Sequence, residues 1–167
     1  MGAYYQAVID EVMYDVHSTR NGAKIMEHSY LGNSYCKAIE YKLFNKPGKL
    51  AWICDYHIKD EICPLDWDLP EDPIDLAPDD FVVTFVINHT KKLYFDLNEL
   101  TIAYGDVQWK IHPLPLLTNS NERSLGGGDY YPEDSRRATW CLDTIETSNT
   151  KPEGYENVSK DVLFYEK

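Results

Sequence analysis

A chain of 167 residues with a formal net charge of −12 has the length of one ordinary domain and a strong acidic excess. That charge excludes nonspecific binding to nucleic acid or to an anionic membrane, because both present negative charge of their own. With 43% hydrophobic residues and thirteen tyrosines the composition is globular, and a domain of this length buries roughly two-thirds of its unfolded surface without disulfide staples.

The opening residues, MGAYYQAVIDEV, lack a basic stretch followed by an apolar one, so no signal peptide is expected from them. Residues 4–16 are rich in Tyr, Val and Ile with partial alternation, which predicts one bent strand or a tight strand pair. Asn21-Gly22 then marks a turn, since both residues tolerate positive φ. The one convincing helix is predicted over 33–45: Asn33 or Ser34 caps it, Cys36, Ile39 and Leu43 recur at helical spacing, and Lys46-Pro47-Gly48 ends it. Residues 49–56 read as a buried strand.

Between Asp60 and Asp80 lie nine acidic residues and four prolines without one basic residue. Proline at that density opposes both helix and central strand, so the segment reads as an extended, solvated excursion from the core, or as a docking surface for a basic partner. Residues 80–97 form the clearest hairpin: Phe81–Ile87 is apolar on both faces and predicts a central strand, NHTKK turns the chain, and Leu93, Phe95 and Leu97 return beside it. Further strands are expected at 107–112, 138–145 and 161–166, the first ending at His112 because Pro113 and Pro115 follow. The sum is a single α+β domain over residues 1–167, a mostly antiparallel sheet of five to seven strands with one main helix packed on it.

Five segments, GAYYQAVID, NGAKIMEHSYLGN, VINHTKKLYFD, HPLPLLT and GGGDYY, resemble in patches a family of small proteins of bacteriophages and bacterial mobile elements. The resemblance spans nearly the whole chain and implies a common fold, but it brings no established activity. It implies an accessory protein that opposes a host defence, by capturing a nucleotide signal or by blocking a defence protein.

The residues themselves offer three chemistries. Three of the four arginines, Arg123, Arg136 and Arg137, flank the run Gly126, Gly127, Gly128. Consecutive glycine amides can cradle an anion and arginines can add bidentate bonds to phosphate, so this loop is a candidate site for a nucleotide or other phosphorylated ligand, with Tyr130, Tyr131 or Trp140 stacking on a base. The competing reading is a loop whose arginines pair with Glu122, Asp129, Glu133 and Asp134. Asp66, Asp68, Glu71 and Asp72 in the acidic excursion are candidate contacts to the basic groove of a host protein, in the manner of a nucleic-acid mimic. The tripeptides HSY at 28–30 and HTK at 89–91 loosely match the paired motifs of two-histidine phosphodiesterases, which would make His28 and His89 catalytic with Asp129 as orienting group.

Cys54, His57 and Cys63 have a partial zinc-knuckle spacing, yet Cys54 and His57 would point to opposite faces of a continuing strand, so no metal and no cofactor is expected. Four scattered cysteines without a C-x-x-C pair suit reduced thiols in a cytoplasmic protein. Direct nucleic-acid binding and a membrane partner are not expected; self-association is left open.

Overall fold

The computed structural model describes residues 4–16, 24–100, 102–104, 107–109, 111–120 and 135–164. β1 (Tyr5–Ile9) and β2 (Val12–Asp15) form a hairpin through the two-residue loop Asp10-Glu11. Both loop residues have positive φ, 49° and 65°, the geometry whose twist matches that of the flanking strands. After a single turn of helix, α1 (Ile25–His28), comes α2 (Ser34–Lys42), capped as expected by the Asn33 side chain, which accepts from the Cys36 amide at 2.9 Å. Cys36, Ile39 and Leu43 all lie buried on its inner face.

β3 (Gly48–Cys54) pairs antiparallel with β1 over five residues. The chain then runs through the acidic segment, whose residues Glu71–Pro73 form β4, and returns as the hairpin β5 (Phe85–Asn88) and β6 (Leu93–Asp96). A small separate ribbon, β7 (Ile102–Tyr104) with β8 (Val107–Trp109), leads to α3 (Leu114–Thr118). β9 (Thr144–Ser148) and the short β10 (Glu156–Asn157) complete one eight-stranded sheet in the order β10-β6-β5-β9-β3-β1-β2-β4.

The fold is therefore α+β, with a mixed sheet and, among the described residues, three α-helices. The sheet is larger than the five to seven strands expected, and two of its pairings, β2 with β4 and β6 with β10, are parallel. Both parallel partners are short edge strands from irregular segments, so no hydrophobic periodicity announces them. Three strand expectations shift. Phe81 and Val82 lie before β5, and Val82 is 73% exposed, so the central strand is shorter than its apolar run. Residues 138–142 turn before β9 begins, and of the strand expected at 161–166 residues 161–162 turn and 163–164 are irregular, while 165–166 lie outside the described residues.

The alternation along β1 sorts its side chains between two cores. Tyr5, Ala7 and Ile9 join Leu50, Trp52 and Cys54 of β3 on the face covered by α2 and α3. Val8 with Ala51 and Ile53 faces the opposite way, into a smaller cluster completed by Met13, Cys63 and Leu65. Close approach at the start of β3 requires glycine: a Cβ on Gly48 would stand 2.8 Å from the Ile9 Cγ2 methyl and 3.3 Å from Leu43 Cδ2. Ile9 is β-branched and stiff, so Gly48→Ala is expected to destabilise by about 1–3 kcal/mol, read as a lower urea midpoint at unchanged slope.

Candidate functional site

The acidic segment is a strap that covers the second face of the sheet. From Cys63 to Pro70 it alternates strictly: Cys63 and Leu65 are buried, Trp67 and Leu69 half-buried, while Pro64, Asp66, Asp68 and Pro70 are exposed. Inward side chains pack on Val8, Met13, Ala51 and Ile53. An Asx turn starts the run, Asp60 Oδ1 accepting from the Ile62 and Cys63 amides at 2.9 and 2.7 Å, and His57 Nε2 bonds the Cys63 carbonyl at 2.8 Å. Met13 donates to Pro70 O at 2.8 Å, and β4 then joins the edge of β2. The expectation of an excursion away from the core is thus corrected: one side of the segment is core, because a sheet face as apolar as this one needs a cover.

All nine acidic side chains between Asp60 and Asp80 are exposed. Among the described residues one of them is in an ion pair, Asp66 with Lys59 at 3.3 Å, and both partners are more than half exposed, so that pair is screened and weak. Asp66 and Asp68 take the outward side of a backbone pinned at Cys63, Leu65 and Ile74, and Glu71 and Asp72 follow, both exposed, on β4. Hydrophobic side chains flank the charges: Ile58 is 78% exposed, Ile62 45% and Leu76 55%. The free thiols of Cys63 and Cys141, the latter in the turn before β9, titrate as a coupled pair: their interaction lowers Cys63 and, with burial, pushes Cys141 up.

The glycine run, Arg123, Asp129, Tyr130 and Tyr131 lie outside the described residues. Arg136 and Arg137 lie within them and have structural partners. The Arg136 guanidinium donates to the Asp161 carbonyl at 3.1 Å and to the Leu163 carbonyl, and sits 4.2 Å from the centre of the Phe164 ring. Arg137 is 9% exposed, and its Nε faces the Asn119 side-chain oxygen at 3.3 Å. Trp140 is buried against Phe95, with ring centroids 5.7 Å apart, which closes its face to a ligand base. Arg136 thus ties the turn before β9 to residues 161–164, and Arg137 ties it to the end of α3.

The two histidines occupy unlike settings. His28 closes α1, is fully buried, accepts from Trp52 Nε1 at 2.9 Å and stacks 4.7 Å from Tyr35. His89 follows β5 at the hairpin tip and bridges Tyr155 Oη and Glu146 Oε1, each at 2.8 Å. A two-histidine phosphodiesterase needs its pair on adjacent central strands; here neither histidine is in a strand.

One cluster escaped the sequence reading. Cys36, Glu40 and His112, all buried, hold their potential ligand atoms within 4.8 Å of one another. The spacing of Cys36 and Glu40 on one helix face was a legible signal; the third member, from a distant turn, was not. His112 Nδ1 accepts from the Leu114 amide at 3.2 Å, so Nε2 carries the ring proton and donates to Glu40 at 2.7 Å. A metal on Nε2 would move that proton to Nδ1, against the Leu114 N–H, so the donors fit a buried imidazole–carboxylate bond and not a metal. Cys54 and His57 likewise make no metal cluster with Cys63: the Cys54 sulfur accepts from the Tyr56 amide and His57 binds the Cys63 carbonyl.

Fold and site together define an α+β protein built on one eight-stranded sheet whose second face is covered by an acidic strap. Set against protein-family models, curated proteins and solved structures, the chain matches none. Among the described residues no helix is long and apolar enough to cross a membrane.

Proposed function

We propose that the protein is a binding protein whose acidic strap occupies the basic, nucleic-acid-binding groove of a protein partner. The observation that supports this reading is the strap's strict alternation from Cys63 to Pro70, which anchors one side in the core and turns Asp66 and Asp68 outward on a fixed backbone, with Glu71 and Asp72 following, exposed, on the edge strand β4. Extended chain advances about 3.3 Å per residue, so alternate outward carboxylates stand roughly 6–7 Å apart. Such an ordered array steers toward a basic groove and loses little entropy on docking. Ile58, Ile62 and Leu76 beside it supply apolar contacts that a groove in a protein can cover. Pro73 and the charges of β4 also deny the open sheet edge to another strand, so the contact is through side chains. An inhibitor of a host defence protein would work in this way, by excluding nucleic acid from its site.

The test is displacement of a labelled DNA duplex from a sequence-nonspecific DNA-binding protein with a basic groove. A variant with D66N, D68N, E71Q and D72N is compared with one carrying E11Q, E99Q, E153Q and E156Q. Each variant loses four carboxylates, from a formal −12 to −8, so net charge is matched. The strap variant is expected to lose at least about tenfold in displacement, the control less than about threefold, and rising salt should weaken the wild type. Equal losses in both would mean that net charge alone acts and would overturn the assignment to the strap.

A further inference from the structure

Behind the strap, where the chain leaves β4, a cavity of about 430 Å³ opens against the end of α2. That volume falls within the roughly 300–1,000 Å³ of small-molecule sites. One wall carries Tyr41, Lys42, Phe44 and Lys46; the other carries Ile74 and Asp75. Phe81 meets both aromatic rings edge-on, Tyr41 at 5.0 Å and 74°, Phe44 at 5.4 Å and 83°, and so fixes their planes. Tyr41 is nevertheless 42% exposed, an aromatic ring left half open beside the cavity.

Two of the three charged side chains lining the cavity are basic, against the acidic balance of the chain. In a chain of net charge −12, two exposed lysines line one cavity wall, and neither forms an ion pair among the described residues. Lys42 is held with its ammonium 5.0 Å from the centre of the Tyr14 ring. A helix C-terminus ordinarily repels an anion, but most carbonyls of this one are already bonded. Ile39 and Tyr41 accept from the Leu43 and Phe44 amides, Glu40 from Thr147 Oγ1, and Leu43 from the Lys46 and Thr147 amides. Aromatic faces with two cations suit a flat ring bearing phosphate, and Asp75 can accept from a hydroxyl or an amino group.

We propose that this cavity binds a phosphorylated ring compound of the mononucleotide class, the ring against Tyr41 and Phe44, the phosphate between Lys42 and Lys46, and a sugar hydroxyl or ring amine on Asp75. The site is independent of what the strap docks on, and it places the phosphorylated ligand suggested by the glycine and arginine loop at different residues.

Calorimetric titration of the full chain with AMP, GMP, CMP and UMP, with the four corresponding nucleosides and with inorganic phosphate, tests the site in wild type, Lys46→Ala and Lys46→Arg. At least one mononucleotide is expected to bind, with its nucleoside and phosphate alone each at least about tenfold weaker, a factor that corresponds to about 1.4 kcal/mol. Lys46→Ala should weaken that nucleotide about five- to tenfold and Lys46→Arg should restore most of it, both variants melting with the wild type because Lys46 is exposed. Failure of all four nucleotides to bind would overturn the proposal. So would a nucleoside or phosphate binding as tightly as the nucleotide, or binding untouched by Lys46→Ala, which would put the ligand elsewhere on the chain.

Discussion

His112→Ala is expected to destabilise the protein by about 3–5 kcal/mol, a large part of a domain's total stability. His112 is 1% exposed and its partner Glu40 is 9% exposed at the side chain, so the carboxylate depends on the imidazole N–H at 2.7 Å. Removing the ring strands a charge in the core beside Cys36, whose thiol burial and Glu40 already hold well above its ordinary range. It also leaves the Leu114 amide, at the first turn of α3, without its acceptor. A double replacement by apolar residues of similar volume, E40M with H112L, should recover most of the loss, because the pair's attraction is largely offset by the cost of desolvating it. Urea unfolding of the two variants decides the point. A loss below about 1 kcal/mol in His112→Ala would show that Glu40 reaches water and that the bond is not structural.

Tyr35→Phe is expected to cost about 2–4 kcal/mol through a single oxygen. The β1–β2 ladder pairs Ile9 with Val12 and Val8 with Met13, and the next pair in register would be Ala7 with Tyr14. There the Tyr35 hydroxyl stands in for the ladder: it accepts from the Ala7 amide at 2.8 Å and donates to the Tyr14 carbonyl at 2.7 Å. Burial pushes the phenol far above its usual range, so the group stays neutral and keeps the proton it donates. Phenylalanine would leave both backbone groups without that partner inside a fully buried site. Native-state hydrogen exchange should show the Ala7 amide losing protection along with the drop in urea midpoint. Unchanged protection at Ala7 would mean that the strands close on each other and that the hydroxyl is dispensable.

Both effects involve partners that no local pattern pairs. Helical spacing in α2 marked Cys36, Ile39 and Leu43 as core and Asn33 or Ser34 as cap, of which the structure uses Asn33, because a helix face and its first turn are written in residues three and four apart. Likewise the hairpin around NHTKK was legible from alternation and turn residues that lie close together. The same alternation overextended β5 toward Phe81, whose ring instead packs on Tyr41 and Phe44 of another element.

The strap shows the division within one segment. Its composition by itself determined that the chain would be extended, exposed in its charges and barred from a central strand, since proline and like charges impose this locally. The alternation of Cys63, Leu65, Trp67 and Leu69 was there to be read, but its meaning depends on a facing apolar surface, and that surface exists only once β1, β2 and β3 have paired. The arginines make the converse case. Their clustering beside glycines suggests an anion site, yet Arg136 reaches carbonyls 25 and 27 residues further along the chain and Arg137 is buried beside Asn119. Local sequence determines which groups a segment offers; tertiary structure decides which are already taken, because burial and long-range hydrogen bonds belong to the whole fold.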